Sequence, residues 1–153
     1  MKNLSNSLKL PLIPKSVWLG LILALAGFTD AFYLTLVHYQ NKIPPCSIGS
    51  CETVLTSKYA MIGPIPVSLI GLLYYVVIFG CLVSSFHASG YTWLRIWRKL
   101  STVGFLVTLV LLGLQFFVLH AVCLYCMVSA VISILLFIAS MAFKKPNSQP
   151  SHV

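Results

Sequence analysis

Charge is what this chain most lacks. Only 8% of its 153 residues are charged and just two are acidic, Asp30 and Glu52, against 59% hydrophobic. A soluble domain carries roughly a quarter charged residues, so a water-exposed catalytic domain is excluded. No Gly-rich nucleotide fingerprint is present. Met127 follows Cys126, which rules out a haem-attachment C-x-x-C-H, and no internal repeat is visible.

What the chain has in place of charge is four apolar stretches, about 17–39, 65–86, 100–119 and 122–143. Each is long enough to cross a ~30 Å hydrocarbon core as a helix. The expected fold is an all-α membrane protein, a four-transmembrane-helix bundle over 17–143. A cytoplasmic N-terminal segment (1–16, with Pro11 and Pro14) precedes it and a polar cytoplasmic tail (144–153) follows. Ala24-Leu25-Ala26 could pass for a signal-peptidase site, but the apolar run continues to Val37, which favours a retained anchor. The loop at 40–64 is long, and loops of that length are usually functional or disordered. Within it, 52–59 is expected to form a short surface helix, with Val54 and Leu55 turned toward lipid. The 63–66 segment, Gly-Pro-Ile-Pro, marks the turn into the second span.

The net charge of +8 does not point to nucleic acid, because its distribution follows the spans. Lys2, Lys9, Lys15, Arg95, Arg98, Lys99, Lys144 and Lys145 fall on one side of a four-span topology. Only Lys42 and Lys58 fall on the other. The positive-inside rule then places both termini in the cytoplasm, and Trp18, Trp93 and Trp97 read as an inner aromatic belt.

That orientation puts two cysteine pairs outside, Cys46/Cys51 in the long loop and Cys123/Cys126 in the first turn of span four. In a bacterium this is the periplasmic side, where disulfides form and persist. Positions i and i+3 of a helix face the same way, and a helix N-terminus stabilises a thiolate. Cys123-Leu124-Tyr125-Cys126 therefore suits redox exchange. Two bland alternatives stand beside it. C-x4-C with C-x2-C is a permitted spacing for a four-cysteine metal site, and two static disulfides could staple the outer surface of a non-enzymatic membrane protein. A disulfide within one helical turn closes almost no loop and adds little stability by that route, which favours exchange. A two-electron acceptor soluble in the membrane points to a quinone.

The ordered motifs resemble the vitamin K epoxide reductase family, in particular its small bacterial disulfide-forming members without a fused thioredoxin-like domain. The residues that carry this are Tyr33-Leu34-Thr35 with His38 and Tyr39, then Cys46 and Cys51, Ser57, Gly63-Pro64-Ile65-Pro66-Val67, Gly71, Tyr74-Tyr75 and finally Cys123-Leu124-Tyr125-Cys126. A loop pair first and C-x-x-C on the fourth helix second is far more specific than either motif alone. The resemblance implies an enzyme, a thiol:quinone oxidoreductase of the bacterial inner membrane with the catalytic cysteines Cys46, Cys51, Cys123 and Cys126. By that likeness Cys46 would exchange with a separate thioredoxin-like periplasmic dithiol oxidase and Cys51 would pass electrons to Cys123. Cys126 would face the membrane quinone, ubiquinone or menaquinone, with Ser57 also at the quinone. Two departures set the chain apart from the animal enzymes that reduce quinone epoxide. Ala130 stands where they have tyrosine, and 62–67 holds no asparagine. A quinone or quinone-epoxide reductase remains the alternative within the family.

Asp30 is the one carboxylate inside a span, and such groups tend to face the bundle interior. It is a candidate proton relay or hydrogen-bond partner for the quinone, or else a carboxylate bonded to nearby hydroxyls. Gln115 is a candidate donor to a quinone carbonyl or a helix-packing amide. His38 and His120 sit near the outer boundary, and Cys81 reads as a small buried apolar side chain.

Overall fold

The computed structural model describes residues 15–40, 42, 50–86 and 90–142. The terminal segments and Cys46 lie outside the described residues. Four helices are long and apolar enough to cross a membrane. They are α1 (Lys15–Tyr39), α3 (Val67–Ser84), α4 (Gly90–Gly113) with its π-helical continuation Leu114–Val118, and α5 (Leu124–Met141). α2 (Cys51–Leu55), a 3-10 turn (Lys58–Ala60) and a small hairpin lie between α1 and α3. α1 packs on α3 and α5, and α4 packs on the same two, which closes a four-helix ring.

The close faces are built from small residues. Gly20, Ala24, Gly27 and Ala31 line the buried side of α1, a spacing of three and four that keeps them on one face. The Gly27 backbone lies against the Tyr75 ring of α3, and Gly104 of α4 lies against the Tyr74 hydroxyl. Such small-residue contacts let membrane helices approach closely where no hydrophobic effect drives them together. Tyr75 then reaches across to α5, where its Oη meets Ser129 Oγ at 2.9 Å and Ser133 Oγ at 3.2 Å. Phe105 and Phe137 stack between α4 and α5 with centroids 4.6 Å apart.

Large apolar side chains such as Ile22, Leu73, Val110, Phe117 and Ile138 cover the outside. An apolar surface this extensive is unusual on a protein surrounded by water. With four apolar spans it defines a multi-pass membrane protein.

Three expectations are corrected. Trp97 does not join an aromatic belt: it is wholly buried, its ring packed against Gly20, while Trp18 and Trp93 remain exposed. Val54 and Leu55 do not face lipid. Val54 is buried with Cys51, Ala121 and Cys123, Leu55 packs on the same cluster, and both line a cavity between the spans. Finally, α4 starts at Gly90 rather than Leu100, carrying Arg95, Arg98 and Lys99 on exposed helical positions. A helix extends past the hydrocarbon where long cationic side chains can reach water.

Alternating spans bring the α1–α3 loop and the α4–α5 connection to the same end of the bundle. The loop re-enters the bundle through the hairpin, whose strands β1 (Met61–Ile62) and β2 (Ile65–Pro66) pair around Gly63-Pro64. Gly63 takes φ +63°, and Pro64 cannot adopt a positive φ, so the turn is type II′, which places glycine first. Pro66 then caps α3 without needing to supply a backbone N–H.

Candidate active site

Cys123 is not in the first turn of α5 but at its N-cap, with extended backbone (φ −102°, ψ 121°), and the helix begins at Leu124. The Met127 N–H donates to the Cys123 carbonyl at 3.0 Å. That geometry leaves Cys126 one turn below the cap. Cys81, Cys123 and Cys126 are free thiols, whereas Cys51 is disulfide-bonded. A disulfide sulfur is no thiolate ligand, which argues against a four-cysteine metal site.

A backbone bond among the described residues, Ser50 N–H to the Val122 carbonyl at 2.9 Å, fastens the loop to the α4–α5 connection. It sets Cys51, the next residue, into the buried cluster that also holds Cys123, Val54 and Ala121. Cys51 and Cys123 are 1% and 0% exposed, so exchange between them would proceed away from water. Cys126 faces elsewhere, onto a partly open cavity of about 680 Å³ lined by the four spans and the loop.

This cavity gathers residues distant in sequence. Asp30, Ser57, Gln115 and Cys126 all line it, and His38 joins them. Cys51 and Cys123 do not line it, and His120 lies outside, exposed, at the left-handed φ of +46°. Cys81 is buried in the main core as expected. The volume lies within the usual 300–1,000 Å³ range for small-molecule sites, which combine apolar walls with a few polar groups. Ser57 Oγ donates to the Val54 carbonyl at 2.7 Å, which leaves its lone pairs free to accept. Asp30 Oδ2 is buried without a hydrogen-bond partner among the described residues. The cavity therefore offers a carboxylate, a hydroxyl, an amide and a thiol among aliphatic walls, which suits a planar quinone head with two carbonyl oxygens.

A hydrogen bond from the Cys126 thiol holds the Cys123 thiol down to about pKa 7, against burial, which pushes it up. Its ordinary value is 9.0. Thiolate reactivity is thus present above about 7 and lost as pH falls through that value. Replacing Cys126 by alanine removes the donor, and the Cys123 midpoint should rise to its ordinary value or beyond. Its ionised fraction at pH 7 should fall from about half to roughly one per cent, read from thiolate ultraviolet absorbance. A midpoint that stays near 7 would show that Cys126 is not the cause.

Several contributors were not foreseen: Ser50 with Val122, and Tyr75 with Ser129 and Ser133, all of them tertiary contacts. Tyr33 and Tyr125 also meet, at 5.3 Å between ring centroids, pairing α1 with the C-x-x-C turn.

A thiol at a helix N-cap in a buried cluster, with a second one turn on that opens to a cavity between the spans, forms a site suited to thiol–disulfide exchange. The sequence agrees: residues 18–141 match the vitamin K epoxide reductase family. The chain belongs to that family. A comparison with curated proteins gives no match.

Proposed function

We propose that the protein oxidises the dithiol of a thioredoxin-like partner and delivers the electrons to membrane quinone. The observation that carries this reading is the placement of the helix pair. Cys123 lies in one sealed cluster with Cys51, and Cys126 stands on the wall of the cavity. In this scheme the partner thiolate attacks Cys46, breaking its disulfide with Cys51, and a second partner thiolate releases Cys46 as the partner disulfide forms. Cys51 then attacks Cys123 of the oxidised helix pair and frees Cys126 as a thiolate beside the quinone. Cys46 next attacks Cys51, which restores the loop disulfide and releases Cys123, and the Cys123 and Cys126 thiols give two electrons to the quinone as their own disulfide re-forms. Cys46 lies outside the described residues, and its pairing with Cys51 belongs to the proposal. Two electrons pass per cycle: one partner dithiol becomes a disulfide and one quinone, taking up two protons, becomes a quinol.

The exchange end faces the periplasm of a bacterial inner membrane in this proposal, with both termini cytoplasmic. Arg95, Arg98 and Lys99 at the opposite end of the bundle support that orientation. Ubiquinone and menaquinone both have heads that suit the cavity. Ala130, on the wall where the animal enzymes have tyrosine, favours disulfide formation over epoxide reduction.

The test mixes purified protein with a reduced thioredoxin-like oxidase and each quinone in turn, following quinone absorbance. Thiol-dependent quinol formation is expected with at least one. If none is reduced, the reading fails.

Asp30 is proposed as the proton source for the quinone, because its carboxylate lines the cavity with one oxygen that has no partner among the described residues. His38, Tyr59, Tyr74, Tyr75, Lys42 and Cys126 are the other titratable groups on that wall. Asp30→Asn should slow quinone reduction on the order of a hundredfold and flatten its pH profile. An unaltered rate from acid to alkaline pH would end the relay role.

A further inference from the structure

Gln115 is only 4% exposed and sits on the π-helical turn that ends the third span. A π turn inserts an extra residue into the helical repeat, and such turns recur at functional sites. Here it turns Gln115 inward while Phe116, Phe117 and Val118 remain on the outside. Two bonds then run from this one residue into the C-x-x-C approach. Its backbone carbonyl accepts the Ala121 N–H at 3.1 Å, and its side-chain Oε1 accepts the Cys123 N–H at 3.1 Å. A backbone N–H can only donate, so the amide orientation is fixed: the oxygen faces Cys123 and the Nε2 is the free end. Nε2 makes no hydrogen bond among the described residues, and Gln115 lines the cavity.

We infer that Gln115 couples the acceptor site to the thiol pair, its carboxamide oxygen holding the backbone of Cys123 and its nitrogen donating to a carbonyl oxygen of the quinone. The oxygen arm makes it a positioning residue: it fixes the N-cap backbone that sets the Cys123 thiol beside Cys126 and in the buried cluster with Cys51. The nitrogen arm rests on the quinone reading above, while the oxygen arm does not. One planar amide serves both ends, so a quinone that pulls on Nε2 also loads the bond to Cys123.

The two arms separate experimentally. In protein labelled with 15N-cysteine, the Cys123 amide should be protected from hydrogen exchange in the wild type. Protection should persist in Gln115→Glu, which keeps an acceptor oxygen, and be lost in Gln115→Leu. In protein labelled with 15N-glutamine, a short-chain soluble quinone should shift the Gln115 NH2 resonances and leave those of Gln40 and Gln149 in place. Removing the donor in Gln115→Leu should raise the quinone KM by about fivefold, the worth of one neutral hydrogen bond. An unprotected Cys123 amide in the wild type, or one still protected in Gln115→Leu, overturns the clamp. Unmoved Gln115 resonances with a quinone that the wild type reduces overturn the coupling while the proposed function stands. If the wild type reduces no quinone, the coupling falls with that reading and the amide result still decides the clamp.

Discussion

Replacing Cys126 by alanine should abolish quinone reduction, by about a thousandfold or more, in a protein that still folds and inserts. The thiol stands on the cavity wall, and no other described cysteine lines that space. Cys81 is buried in the main core, and Cys51 and Cys123 are enclosed on the far side of the C-x-x-C turn. The fold should tolerate the change because Cys126 only borders the smaller cluster, and alanine is a good helix former. Partner-thiol exchange at the loop should continue for a single turnover and then stop. A structural staple predicts the reverse: loss of folded protein and no selective loss of electron transfer. Thermal unfolding in detergent alongside the quinone assay separates the two. Quinone reduction persisting in a folded Cys126→Ala protein would remove Cys126 from the reaction.

Gly27→Ala is the small change expected to cost the most in stability. A methyl group there would overlap the Tyr75 ring. The ring cannot swing away freely, because Tyr75 Oη is held by Ser129 and Ser133 on α5. Overpacking of this kind costs about 1–3 kcal/mol. The contact joins three spans beside the cavity, so quinone turnover should fall with the melting temperature. Gly80→Ala is the control: nothing lies within 4 Å of a methyl at that position, and losing a helix-interior glycine is favourable by roughly 0.5–1 kcal/mol. Equal stability of the two variants would mean that α1 and α3 do not pack as described.

Much of this fold was legible in the sequence because the membrane permits so few solutions. Backbone groups must be satisfied within each span, so apolar stretches of sufficient length announce their helices, and the odd–even alternation of spans brings Cys51 and the C-x-x-C pair to one end. The site was legible in part. Asp30, Ser57, Gln115 and Cys126 were each candidates, and the structure brings all four to one cavity.

What failed has identifiable physical causes. Val54 and Leu55 on the five-residue α2 are apolar, and a segment that short reads alike whether its apolar side meets lipid or a cavity. Trp97 carries the composition of a membrane boundary, but Gly20 leaves room for its ring inside the bundle. The charges of Arg95, Arg98 and Lys99 marked the edge of the hydrocarbon and not the start of α4. Gln115 was weighed as a donor to quinone or a packing amide. Its acceptor role toward Cys123 depends on the π turn and on the N-cap, neither of which spacing reveals.

The central claim, that electrons cross from the loop to the helix between Cys51 and Cys123, is tested most directly by trapping that step. With Cys46→Ala and Cys126→Ala combined, each of these two thiols loses its proposed partner. Mild oxidation followed by non-reducing peptide mapping should then find a Cys51–Cys123 disulfide as the main product. Two free thiols, or a bond from either one to Cys81, would contradict the relay.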